Sequence, residues 1–343
     1  MWRALESGAD PANVPGIAAR GSERPLRERP FEDDIDRFPF PAIDLLPLES
    51  YWRLGYSHGP YQGRYAFLIT SRGCSLKCTF CASNALWTRR YRMRKPERVV
   101  DEMQLHQDRF GISDFHIQDD NFAHLKPRTV AIAREILRRG LKLTWLNASG
   151  TRIDALDPDA IATMAASGFR YVSVSPESGS ERMRDIMKKP YDEDHHVELV
   201  RAMRTSGVRS QACFVVGYPG ETDRDRVQTR RLVRRLAAAG VDELGVFIMT
   251  PLPGAEAWGL FPDKPTSDDE LTYSPRFRKD YGRHARERLR LHAIFFAAKW
   301  RARPGEIRRH IRNLRDRRFE IKAEMTLYRL LCLARPRPRT AAA

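Results

Sequence analysis

The chain has 343 residues, 42% hydrophobic and 30% charged, with 60 Lys+Arg against 44 Asp+Glu. That length suits one large domain, or one domain plus an appendage, and the apolar content is ample for a core. Five cysteines do not form a disulfide framework, and no run of about eighteen apolar residues marks a membrane span.

Residues 1–38 are rich in Arg, Glu, Asp, Pro and Gly and lack the apolar stretch of a signal peptide. They read as extended or disordered, and the protein as cytoplasmic. Residues 40–63 are rich in Pro and aromatics, without clean periodicity. From Tyr65 a repeat begins: a short apolar run, a turn, an amphipathic helix. Strands are predicted at Tyr65–Thr70, Asp114–Gln118, Lys142–Leu146, Tyr171–Ser175, Ser210–Val216 and Glu243–Met249. Helices are predicted near Pro96–Arg109, Pro127–Arg139, Asp157–Ser167, His195–Ser206 and Asp223–Ala239. Gly140, Gly168, Gly207 and Gly240 stand where helix C-caps belong. Six strands alternating with helices predict an α/β fold of parallel βα units. The expected division is an extended segment over 1–60, the βα core over 61–262 and a basic helical extension over 263–343.

The first strand leads into Cys74-Ser-Leu-Lys-Cys78-Thr-Phe80-Cys81. Thiolates this close can converge on a soft metal centre. There are three, where a closed zinc site or an ordinary cluster takes four. Half of a zinc site and a chance cluster are the alternatives. Cys213 and Cys332 are isolated and read as buried small hydrophobes. Thiolate ligation needs a reducing compartment.

Other candidates also follow strands. Asp119-Asp120-Asn121-Phe122 follows the second; its acids could cap a helix or meet an ammonium group. Arg152 follows the third and could grip a carboxylate or pair with Asp154. Glu177 and Ser178 follow the fourth, where Ser178 or Ser180 could cap a helix. Val215-Val216-Gly217-Tyr218-Pro219-Gly220-Glu221-Thr222 closes the fifth as strand, turn and helix start. Met249-Thr-Pro-Leu-Pro253-Gly254 closes the sixth.

The Cys-x3-Cys-x2-Cys spacing with Phe80 before its last Cys resembles the signature of radical S-adenosylmethionine (SAM) enzymes. The motifs over about 60–260, in this order, are similar to the branch that includes cobalamin-dependent enzymes and methylthiotransferases. The resemblance implies a partial (βα)6 TIM-like barrel and a [4Fe–4S] cluster on Cys74, Cys78 and Cys81. It implies SAM on the cluster's open iron, contacted by Phe80, Asp119, Asp120, Arg152, Glu177, Ser178, Val215 and Gly217. It also implies an electron donor such as a flavodoxin or ferredoxin, and hydrogen abstraction by a 5′-deoxyadenosyl radical. Ser-Pro-Glu-Ser replaces the usual Gly-Ile/Val-Glu-Ser at 175–178. The sequence holds no Asp-x-His-x-x-Gly loop; Tyr56-Ser-His58-Gly does not match one. Cobalamin is therefore not expected.

Residues 276–343 hold 21 Lys+Arg and 6 Asp+Glu. Arg283–Arg303 is predicted helical, with Leu289, Ala293, Phe296, Ala297 and Trp300 on one face. That face is expected to pack on the barrel; the alternative is an interfacial membrane helix, placing the protein at the inner face of the membrane. Ile307–Leu333 is a second apolar-patterned segment, followed by Arg-Pro repeats read as disordered. The expected substrate is a small molecule: a lipid, tetrapyrrole or secondary metabolite. RNA is a weaker partner, since no RNA-binding module is visible. A non-enzymatic metal-binding scaffold at a membrane surface is a third reading.

Overall fold

The computed structural model describes residues 2–18, 28–55 and 57–333. Tyr56, residues 19–27 and the Arg-Pro repeats lie outside the described residues. The chain forms two units, Met1–Phe38 and Pro39–Ala343. The first holds α1 (Trp2–Glu6) and single 3-10 turns at Pro11–Asn13 and Ile35–Arg37. Asp10 and Asp34 open these turns by accepting from backbone N–H groups two residues on. The stretch read as extended thus carries short turns.

In the second unit, α2 (Leu48–Leu54) leads towards the sheet, and Trp52 donates its indole N–H to the Tyr65 carbonyl at 2.8 Å. The strands are β1 (Tyr65–Leu68), β4 (Asp114–Ile117), β5 (Thr144–Thr151), β6 (Phe169–Glu177), β7 (Arg209–Val216) and β8 (Glu243–Ile248). They form one six-stranded sheet in that order, parallel throughout. Each strand pairs with the preceding one and β1 does not pair with β8, so the sheet winds in one direction as an open barrel. Between strands lie α4 (Pro96–Phe110), α5 (Lys126–Arg138), α6 (Pro158–Ala166), α8 (Glu193–Thr205) and α9 (Asp223–Ala239). At the α6 C-terminus Gly168 has φ +97°, and a Cβ there would lie 2.2 Å from the Leu143 carbonyl oxygen.

Alternation along the strands separates two interiors. Phe115, Ile117, Val172, Val174, Phe214, Val216 and Val246 join Met103, Ile132, Ile161, Val200 and Leu236 of the helices in the main core. The opposite face lines the lumen, with Ser173, Gln211, Cys213, Glu243 and Phe247. Its lower end is filled by Leu146, Ala148, Tyr171 and Ile321. Lys322 enters beside them and donates to the Ala148 carbonyl (3.0 Å), Gln211 Oε1 (3.2 Å) and Ser173 Oγ (3.4 Å). Near the strand starts Asp114 is bound by Arg170, Gln62 N and Thr144 Oγ1, so its buried charge is compensated.

Short elements escaped sequence reasoning: the hairpin β2 (Ser71–Arg72) with β3 (Arg92–Met93), α3 (Ser83–Trp87) and α7 (Glu181–Ile186). Two-residue strands and single turns carry too few positions for a period to show. The C-terminal helices are α10 (Tyr281–Ala302), α11 (Glu306–Asp316) and α12 (Lys322–Leu333). The last two replace the continuous 307–333 segment, because Arg317 turns left-handed (φ 54°) and Phe319 is buried. On α10 the expectation is corrected. His284, Glu287, Leu291, Phe295 and Lys299 face the protein, while Leu289, Phe296 and Trp300 face outward. Lys299 can be buried because its ammonium reaches the Asp242 carbonyl at 2.7 Å and Glu306 at 3.4 Å. Cys332, expected to be buried, is exposed in the last turn of α12.

Phe295→Ala should cost about 3–5 kcal/mol by opening a core cavity, and Phe296→Ala about 1 kcal/mol or less. Chemical denaturation of the two variants measures the difference. His106 on α4 is buried, and among the described residues neither ring nitrogen has a hydrogen-bond partner. Burial, aided by Arg109 and Arg94, lowers its pKa from 6.5 to about 4. Between those values the unfolded chain binds the extra proton, so this contribution is complete above pH 6.5 and lost as pH falls towards 4. The loss is about 3 kcal/mol, and His106→Leu should flatten the stability curve in that window.

Candidate active site

The three thiols leave the C-terminal end of β1 on one loop, each half-buried. Gly73 starts the loop with φ +81°, where a Cβ would meet the Arg90 carbonyl oxygen at 2.3 Å. Asp119, just past β4, lies beneath. Its carboxylate accepts from Thr70 N (2.6 Å), Thr70 Oγ1 (2.5 Å) and Ser71 Oγ (2.6 Å). The neighbouring Asp120 accepts from Gly73 N at 3.1 Å and Ser83 Oγ at 2.7 Å, spanning the loop's two ends. The far side is fastened by Thr79. Its N–H donates to the Met187 carbonyl (3.0 Å), its carbonyl accepts from Ala257 N (2.8 Å), and its hydroxyl meets Tyr218 OH at 2.6 Å. Phe80 packs beside Val215, Met183, Met187 and Met249.

Two cations serve this loop. Lys189 donates to Glu177 Oε1 at 2.6 Å, both side chains buried, and Glu177 is held at φ 61° as the last residue of β6. Arg152 donates to Asp154 Oδ2 at 2.6 Å and to the Pro190 carbonyl at 2.5 Å. Burial pushes all three thiols up; Lys189 and Arg152 pull Cys78 back down. A positive field of this kind favours the thiolate that binds metal.

Sequence reasoning missed Lys189, Thr79 and Asn121. Asn121 Oδ1 accepts from Thr151 Oγ1 (2.8 Å) and Arg152 N (3.2 Å), and its amide works against the burial that pushes the Cys74 thiol up. An Asn beside two acids was the available signal; Lys189, in a Lys-Lys-Pro turn, gave none. Not every candidate turns to the loop. Ser178 bonds Thr229 and Ser180 N, and Gly217 donates to Glu221 while packing against the His284 ring of α10.

Among the described residues no three His, Cys, Asp or Glu side chains converge on a point for a single ion. A cluster asks each thiolate for a different iron and needs no common point. Three neighbouring thiols beside two cations, with the other cysteines elsewhere, fit such a group.

Residues 68–233 match the Radical SAM superfamily. This chain belongs to the radical SAM superfamily of enzymes. Membership implies SAM and a [4Fe–4S] cluster. An uncharacterized methyltransferase of Pyrococcus horikoshii is 28% identical over 257 residues, 74% of this chain and 53% of that one. The cytidylyl-2-hydroxyethylphosphonate methyltransferase of Streptomyces wedmorensis is 31% identical over 231 residues, 65% of this chain and 42% of that one. This radical SAM chain thus spans about half the length of these relatives. The fold resembles the radical SAM methyltransferase TsrM of Kitasatospora setae. Its complex with tryptophan and a SAM analogue aligns at TM-score 0.61 and 22% identity, over 74% of this chain and 50% of that one. Its structure with cobalamin and a [4Fe–4S] cluster aligns at 0.52 and 21%, over 68% and 48%.

Asp119→Ala should strand the buried Thr70 N–H, costing about 2 kcal/mol, and lower iron per chain after anaerobic reconstitution. Asp119→Asn keeps an acceptor for that N–H and should recover part of the iron.

Proposed function

We propose that this radical SAM enzyme binds a [4Fe–4S] cluster through Cys74, Cys78 and Cys81 and uses SAM to abstract hydrogen from a small molecule held in the lumen. The observation that carries the reading is the three-thiol loop at the C-terminal end of β1, flanked by Lys189–Glu177 and Arg152. When bound, the cluster and SAM supply a 5′-deoxyadenosyl radical, the cofactors carrying the hard chemistry. The chain's residues hold and orient. Phe80 and Val215 offer an apolar wall for adenine, with Glu177 and Asp120 as polar partners for SAM. Asp119, Ser178 and Gly217 act from behind, fixing the loop and the ends of β6 and β7. The core over 61–262 is the catalytic unit of this proposal.

The substrate reading rests on the lumen. Phe67 and Ile69 stay about half exposed although they continue the lumen side of β1. Phe247 stands across the sheet on β8, its ring 5.2 Å from Tyr273. Apolar walls above a floor of Gln211, Ser173 and Lys322 suit a molecule with an apolar body and a polar group: a lipid, tetrapyrrole or secondary metabolite. An electron donor such as a flavodoxin or ferredoxin would supply the reducing electron. We propose that these residues do not themselves hold cobalamin, since they carry no Asp-x-His-x-x-Gly loop.

The test is anaerobic reconstitution, chemical reduction with SAM, and assay for 5′-deoxyadenosine. The wild type should form it, Cys78→Ala should not, and added hydroxocobalamin should leave the yield unchanged. No 5′-deoxyadenosine from protein with a full iron complement, with or without candidate substrates, sinks the reading. Turnover that depends on cobalamin replaces it with methyl transfer of the kind named for the relatives.

A further inference from the structure

The outward face of α10 is apolar and basic. Leu289, Ala293, Phe296, Ala297 and Trp300 are all exposed, with Arg286, Arg290 and Arg301 among them and no acid on that face. Phe296 and Trp300 pack together, ring centres 5.2 Å apart. The neighbouring helices repeat the pattern. On α11 Ile307 and Ile311 are exposed, each followed by an exposed arginine, Arg308 and Arg312; on α12 Leu327, Leu330 and Leu331 are exposed. Helices α10, α11 and α12 and the start of β8 share a cavity of about 320 Å³, with Leu244, Phe296, Trp300, Leu314 and Leu327 as apolar walls and Asp242, Glu243 and Glu324 also in its lining. Among the described residues Arg286, Arg301, Arg308 and Arg312 make no ion pair, whereas Arg290, Arg309 and Arg315 do.

We propose that the outward faces of α10, α11 and α12 form a docking surface for an anionic lipid bilayer. Phe296, Trp300 and Leu327 enter the boundary between headgroups and acyl chains, and Arg286, Arg301, Arg308 and Arg312 pair with lipid phosphates. Charge and shape both select this occupant. Aromatic and leucine side chains ringed by free arginines are the composition that lies in a membrane interface, with long cationic side chains reaching up to the headgroups. A second copy of this chain would bring the same excess of arginine against itself. No helix among the described residues is long and apolar enough to cross a membrane, so the contact is peripheral.

The surface also has a fixed place. Its cavity includes Asp242 to Leu244, where β8 begins, whereas the cysteine loop leaves the end of β1. In a parallel sheet those are opposite ends of the barrel, so the cavity lies away from the thiol loop. Docking and SAM cleavage are therefore separable.

Sedimentation of the full chain with vesicles tests this. Protein should bind phosphatidylcholine–phosphatidylglycerol vesicles, bind pure phosphatidylcholine poorly, and release as salt rises. Arg301→Gln and Arg312→Gln should each weaken binding about fivefold. Phe296→Ser with Trp300→Ser should abolish it while thermal unfolding and iron loading stay unchanged. Brominated lipid should quench fluorescence in the wild type and much less in Trp300→Phe. Failure to bind anionic vesicles, or binding indifferent to all these substitutions, overturns the proposal. So does a mass doubling in solution that Trp300→Ser removes, which would give the face to a second copy. Transfer RNA binding lost in the same variants, without brominated-lipid quenching, would give it to nucleic acid.

Discussion

The barrel does not close, and the cysteine loop hangs from its open edge. β1 has a neighbour on one side only, β4, and past its end the chain pairs only through the two-residue strands β2 and β3. One buried carboxylate ties this root to the main sheet. Asp119, at the end of β4, gathers the backbone and hydroxyl of Thr70 and the hydroxyl of Ser71, the residues through which β1 passes into the loop. A charge at 1% exposure is expensive unless every donor is placed, and here the donors all come from the segment that must be fixed. The pairs further out, Thr79 with Tyr218 and Glu177 with Lys189, then shape a loop whose root is already set.

The same arrangement separates holding from contacting. Asp119 and Ser178 lie where the family resemblance places SAM contacts, and both take protein donors. Asp120 and Glu177, also bonded within the protein, stand nearer the thiols with Phe80. Arg152 stands between the two groups: its guanidinium is taken by Asp154 and Pro190, while its charge still reaches Cys78.

Much of this was legible before any coordinates. The six strands and five intervening helices recur within a few residues of their expected bounds, because each carries enough turns or alternations for its period to show. The cysteine loop was legible from spacing alone. Elements of two to six residues were not, nor was the partner of Glu177, because a Lys in a Lys-Lys-Pro turn looks like any solvated lysine until the chain folds back. α10 misled for a different reason. Leu289, Phe296 and Trp300 outrank its true inner face, which includes a lysine, a glutamate and a histidine. Periodicity finds the apolar stripe; it cannot see that Lys299 and Glu287 are welcome inside because Asp242 and Arg230 await them.

The floor of the lumen comes from far along the chain. Lys322 reaches the Ala148 carbonyl across 174 positions, and the first amides of α12 close on Glu243, which also holds Tyr171. Truncation before Lys322 would leave the buried Glu243 carboxylate and the Ala148 carbonyl without these donors, so the base of the lumen depends on a segment that lies outside the βα repeat.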